Sequence, residues 1–94
     1  MEAYIYDAVR SVRGKGNKKG ALNGVTPTEL SRQVLVALKE RNALDTSKVE
    51  DVIFGCVSQS GAQSGNIART AVLASSLPES VPGTTVDRQC GSSQ

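Results

Sequence analysis

Thr85-Val86-Asp87-Arg88-Gln89-Cys90-Gly91-Ser92-Ser93 is the stretch on which the reading of this 94-residue chain turns. Thr84 to Asp87 is rich in β-formers and reads as a short strand. Gly91, Ser92 and Ser93 are too small and polar to extend it, so the chain turns just after Cys90, in a position to open a helix. A thiol beyond the carboxyl end of a strand lies where open α/β sheets gather their chemistry. Free cysteine, with a pKa of about 8.5, is mostly protonated near neutrality, whereas backbone N–H groups and a helix N-terminus favour the thiolate. Asp87, so near the thiol, works against it. The residues alone leave two readings of Cys90 open: a nucleophile on a turn, or one of the free cysteines that proteins commonly bury.

Working outward, the rest of the chain alternates between strand-like and helix-like patterns. Ala3 to Val9, with Tyr4, Ile5, Tyr6 and Val9, reads as a mostly buried strand. Gly14, Gly16, Gly20 and Gly24 then keep the chain irregular. Thr26-Pro27-Thr28-Glu29 is a helix start, with Thr26 as cap, Pro27 in the first turn and Glu29 completing a capping box. Leu30, Val34, Ala37, Leu38 and the stem of Arg41 follow at helical spacing as one apolar stripe. Val52, Ile53, Phe54 and Val57 form a second buried strand, and Asn66 caps a second helix that runs to about Ser76 with Ile67, Ala71, Val72 and Leu77 inward. Pro78 and Pro82 end it before the strand that leads to Cys90. Strand, helix, strand, helix, strand predicts an α/β domain, parallel-type β-α-β-α-β with crossover helices.

Composition narrows the function classes. Lysine and arginine outnumber acids by 11 to 9, a net charge of +2 that attracts polyanions only weakly. Tyr4, Tyr6 and Phe54 are the only aromatic residues, too few for a base-stacking platform, so no nucleic-acid partner is expected. Arg10, Arg13, Lys15, Lys18 and Lys19 crowd one glycine-rich stretch that reads either as a phosphate contact or as a solvated loop. Its Gly14-to-Gly20 segment has one residue too many for a dinucleotide fingerprint and leads to no immediate helix. The glycines and serines of Ser58 to Gly65 fit a flexible connection as well as a binding surface.

Cys56 and Cys90 are the only cysteines. With no apolar signal segment before them and no Arg-rich leader, a reducing, cytoplasmic setting is expected, without a structural disulfide. No apolar run approaches membrane-spanning length. Cys56 reads as a strand residue rather than a second catalytic thiol, since its run is apolar and has no histidine partner. Histidine, the commonest general base and metal ligand, is absent from these 94 residues.

The opening stretch resembles the nucleophile motif of the thiolase family, usually written T-V-N-R-x-C-x-S-G/S. Ala8-Val9-Arg10-Ser11, Val52-Ile53-Phe54-Gly55, Asn66-Ile67-Ala68-Arg69, Leu77-Pro78 and Val81-Pro82-Gly83 reinforce it in the family's order and spacing, across nearly the whole chain. Departures fall at Asp87, Ser11-Val12 and Cys56, where the family more often has asparagine, threonine-proline and asparagine. The resemblance implies acyl transfer between coenzyme A thioesters through an acyl group held on Cys90, with acyl-CoA and coenzyme A as partners and no bound cofactor or metal. It also implies a homo-oligomer, dimer or tetramer. The activating histidine and the second, acid/base cysteine of that family belong to later segments. Residues 1–94 are accordingly expected to be the incomplete N-terminal half of a thiolase-like fold, ending just after the nucleophile, inactive and poorly soluble alone. A ketoacyl-synthase-like condensing enzyme and a non-catalytic assembly piece are the competing expectations.

Overall fold

A computed structural model describes all 94 residues. Its elements are α1 (Pro27–Asn42), β1 (Val52–Gly55), α2 (Ile67–Ala74) and β2 (Gly83–Val86), with single 3₁₀ turns at Thr46–Lys48 and Gly61–Gln63. The two strands pair in parallel, Val52 opposite Gly83 and Gly55 opposite Val86, so α2 is the crossover between them. Pro82 O accepts from Val52 N (3.1 Å) and Val86 O from Cys56 N (3.0 Å), which extends the ladder at both ends.

The apolar spacing of α2 does what its sequence predicts. Ile67, Ala68, Ala71 and Val72 are buried, with Val72 fully so, and Val72 meets Val52 and Val81 in the core. Leu35, Val49, Phe54 and Leu77 pack around that cluster. The helix stops at Ala74, two residues before the expected Ser76, where Ser75 N and Oγ both turn back to Val72 O. Leu77 still faces inward from the following turn.

Two expectations are corrected on the N-terminal side. Ala3–Val9 forms no strand; Ile5 is 94% and Tyr6 92% exposed. A strand exists only through a neighbour's N–H and C=O groups, and the β1–β2 pair does not extend to this segment. What fastens it is Asp7, whose carboxylate accepts from Asn42 Nδ2 (2.7 Å) and lies 3.3 Å from Arg41 Nε at the end of α1. These partners, Asn42 first, together with the Ala8 N–H, hold the Asp7 carboxyl below its ordinary pKa. The chain order is therefore α-β-α-β, with both helices kept and the first strand missing.

The second correction concerns α1. Its boundary is as expected: Thr26 Oγ1 accepts from Glu29 N (3.1 Å) and Pro27 fills the first turn. Its stripe, however, is only half-buried from Leu30 to Leu38 and exposed at Arg41, and the residue turned to the core cluster is Leu35, outside the expected set. The capping box is also half-made. Glu29 leaves the Thr26 backbone and takes Arg32 Nε and Nη2 at 2.7 Å each, plus Gln33 Nε2 at 2.9 Å, because a bidentate guanidinium outcompetes a single neutral amide.

Those donors, Arg32 foremost, lower the Glu29 pKa to about 2 from an ordinary 4.5. A carboxyl depressed on folding stabilises above its unfolded pKa and loses that contribution as the pH falls through its folded one. The melting-temperature difference between the wild-type chain and Glu29→Gln should hold above pH 4.5 and vanish as the pH falls towards 2. It should shrink in high salt, since both partners are 39% exposed. A difference that grows on acidification contradicts the assignment.

The core is thin, with six buried residues, all apolar. The chain exposes 7082 Å², where a compact monomer of 9.8 kDa exposes roughly 5,200 Å².

Candidate active site

β2 delivers Cys90, and the hydrogen bonds around β2 explain much of the pattern the sequence carries. Asn66, capping α2, receives Arg69 N on its Oδ1 (3.2 Å), receives the Thr85 hydroxyl on the same oxygen (2.7 Å), and donates from Nδ2 to Gly83 O (2.8 Å). Thr85 Oγ1 also accepts from Ala68 N (3.3 Å). Arg69 Nη1 donates to Glu79 O (2.7 Å) and Val81 O (2.6 Å), tying the segment that enters β2 to the helix. Asn66, Ala68 and Arg69 of one block thus clamp Val81 and Gly83 of a second and Thr85 of the opening stretch. The Asn66 cap and the Ala68 N bond serve amide groups of the first turn of α2, and the bonds to Val81 O and Gly83 O serve carbonyls where the chain enters β2.

Gly83 is glycine because α2 lies directly on it: a Cβ there would stand 2.6 Å from Arg69 N and 2.7 Å from Ala68 C. Helix and strand approach closely enough that no side chain fits between them.

Past Val86 the chain makes a tight turn. Asp87 Oδ1 accepts from Gln89 N (2.9 Å), Gln89 adopts the left-handed conformation with φ 56°, and Gly91 N and Ser92 N donate to Arg88 O (3.3 Å) and Gln89 O (3.1 Å). Cys90 sits on this turn as a free, exposed thiol. The thiol lies outside the core of these residues, at the carboxyl end of a parallel strand. Gly91 to Ser93 remain a turn rather than a helix. Beside the turn, Ile53, Gly55, Val86, Arg88, Ser92, Ser93 and Gln94 line a recess of about 300 Å³. A larger one, about 680 Å³, lies between Ala8–Val12 and α1 and touches none of the turn residues.

Cys56 was expected buried in a strand; it stands one residue past β1, half-buried and free, with its Sγ 3.7 Å from Ser58 O. Its exposure follows from the end of the ladder, since no strand continues beyond Gly55 and Val57 is 47% exposed. The structure does not join the basic residues 10–19 to the site. Lys15 and Lys18 line a separate recess with Gly14, Gly16, Asn17, Leu22 and Asn23. No group of three or more His, Cys, Asp or Glu side chains is placed to hold a metal, and no helix is long and apolar enough to cross a membrane.

The fold is thus a parallel α/β pair whose second strand, clamped from the crossover helix, runs into the turn that carries the thiol. The family model described as "Thiolase, N-terminal domain" matches residues 3–94. A steroid 3-ketoacyl-CoA thiolase, FadA6, of Mycobacterium tuberculosis is 53% identical over 99% of this chain and 22% of its own length. The 3-ketoacyl-CoA thiolase of Acinetobacter baylyi is 46% identical over 98% of this chain and 23% of its own. A crystal structure of the Bacillus anthracis acetyl-CoA acetyltransferase superposes with a TM-score of 0.69 at 42% identity, covering 78% of this chain and 18% of that one. The chain belongs to the thiolase family, and it spans less than a quarter of the length of these relatives.

Proposed function

We propose that Cys90 is the acyl-accepting nucleophile of a thiolase-type acyl transfer on 3-ketoacyl-CoA. The observation that supports this reading is the exposed thiol on a strained turn at the carboxyl end of β2. The Cys90 thiolate attacks the keto carbon at C3, giving a tetrahedral oxyanion. Collapse breaks the C2–C3 bond; its electron pair leaves on C2 as the enolate of acetyl-CoA, which takes a proton. The acyl group stays on Sγ as a thioester. A coenzyme A thiolate then attacks that carbonyl, the bond to Cys90 breaks, and acyl-CoA departs with the thiolate restored. Run backward, the sequence is a Claisen condensation.

Splitting a difficult carbon–carbon cleavage in this way needs bases for two thiols and donors for two oxyanions. These 94 residues contain no histidine, so on this reading the activating base and the acid for the enolate come from the remainder of the molecule.

A chimera tests the proposal: residues 1–94 replacing the matched part of the A. baylyi 3-ketoacyl-CoA thiolase. Incubated with a 3-ketoacyl-CoA without free coenzyme A and quenched in acid, it should carry an acyl adduct on the peptide containing Cys90, released when coenzyme A is added. A folded chimera with no adduct, or with the adduct elsewhere, overturns the reading; the first outcome favours a role in assembly alone.

A further inference from the structure

Cys90 is exposed, so packing does not fix its side chain, and the aim of its sulfur is set by the backbone of the turn. That backbone is under constraint. Gln89 holds φ at 56° with a full side chain, a conformation that L-residues leave unless their surroundings enforce it. One side chain brackets this residue on both sides: the Ser92 hydroxyl accepts from Arg88 N (3.0 Å) and donates to Gln89 O (2.5 Å).

The turn is also seated on β1. A Cβ at Gly55 would stand 2.3 Å from Ser93 N, 2.4 Å from Ser92 C and 2.4 Å from Ser93 Oγ. Two of these are backbone atoms, which cannot swing away. β1 and β2 are fixed to each other by the ladder, Gly55 opposite Val86. Any side chain at 55 would therefore lift the turn off β1.

We propose that Ser92 and Gly55 are positioning residues for Cys90: the Ser92 hydroxyl locks the left-handed bend at Gln89, and the bare backbone at Gly55 lets the locked turn rest on β1. The inference builds on the functional reading of Cys90 given above. Neither residue acts on substrate. Both fix where Sγ stands when the keto carbon arrives, and a misplacement of about 1 Å costs on the order of 100-fold in rate.

The same chimera carries the test, with turnover, KM and melting temperature measured together. Ser92→Ala should lower kcat by ~10–100-fold with KM within about two-fold of wild type, because only alignment at the reacting centre is lost. Ser92→Thr, which keeps the hydroxyl, should recover most of the rate, and Gly55→Ala should lower kcat like Ser92→Ala. Should Gly55→Ala fail to fold, the Ser92 pair decides alone. Unchanged kcat in Ser92→Ala overturns the proposal. So does a raised KM with kcat intact, which makes Ser92 a substrate contact, or a rate loss matched by loss of folded protein. A wild-type chimera that never acylates Cys90 overturns the functional reading and this one with it; an active wild type indifferent to Ser92→Ala overturns this one alone.

Discussion

Cys90→Ala, placed in the chimeric thiolase, is expected to lower turnover by at least ~10³-fold while leaving the melting temperature where it was. The two halves of that expectation have separate causes. Rate collapses because no other group can hold the acyl fragment between the two transfers, so the carbon–carbon cleavage loses its covalent route. Stability survives because the thiol stands outside the core of these residues and packs on none of its buried side chains. Cys90→Ser should also fail, since a hydroxyl on the same turn is a far weaker nucleophile than a thiolate. The matched control is Cys56→Ala. Cys56 is half-buried and its sulfur makes only a weak contact to Ser58 O, so turnover should stay near wild type. If Cys56→Ala abolished activity and Cys90→Ala did not, the assignment of the nucleophile would be reversed.

Why the strand and turn that carry Cys90 are legible in the sequence, while the contacts that hold them are not, is a matter of which forces are local. The strand before it, the small residues after it and the caps at Thr26 and Asn66 are decided within a few residues, and Thr26 Oγ1 and Asn66 Oδ1 accept the N–H groups of Glu29 and Arg69 as their positions predict. The buried face of α2 follows from spacing alone. Gly55 and Gly83 gave no such signal. Each reads as an ordinary glycine at a strand end, and the need for it arises only when Ser92–Ser93 and Ala68–Arg69 arrive from far along the chain. Gln89 gives none either, because glutamine has no preference for φ 56°, and the bend is imposed by Asp87 and Ser92.

The Ala3–Val9 segment failed for the same reason in reverse. Its β-propensity is real, but propensity describes a residue's fit to a pleated surface and supplies no partner. In the fold its anchor is polar, through Asp7 to Asn42 and Arg41, while Ile5 and Tyr6 stay in the open. Leu35 was missed because α1 has apolar residues on more than one face, so its periodicity does not single out the line that meets Val52, Val72 and Val81.

Gly83→Ala is expected to destabilise the fold strongly, with a fall in melting temperature on the order of 10 °C. The added Cβ would lie 2.6 Å from Arg69 N, 2.7 Å from Ala68 C and 2.8 Å from Arg69 Cα. All three are backbone atoms in the first turn of α2, so relief requires the helix itself to move by roughly an ångström. That motion pulls on everything the helix start holds. Asn66 Nδ2 loses its grip on Gly83 O, Ala68 N draws away from Thr85 Oγ1, and Val72 is levered off Val52 and Val81. Overpacking of this kind typically costs 1–3 kcal/mol, about 4–8 °C per kcal/mol in a domain of this size. With only six buried residues the fold has little in reserve. Gly16→Ala supplies the control, since a Cβ there meets nothing within 4 Å, and its melting temperature should match wild type. Thermal unfolding of the two variants followed by circular dichroism decides the point: equal midpoints would mean that α2 does not rest on β2 as closely as Gly83 requires, and the clamp that aims Cys90 would have to be drawn differently.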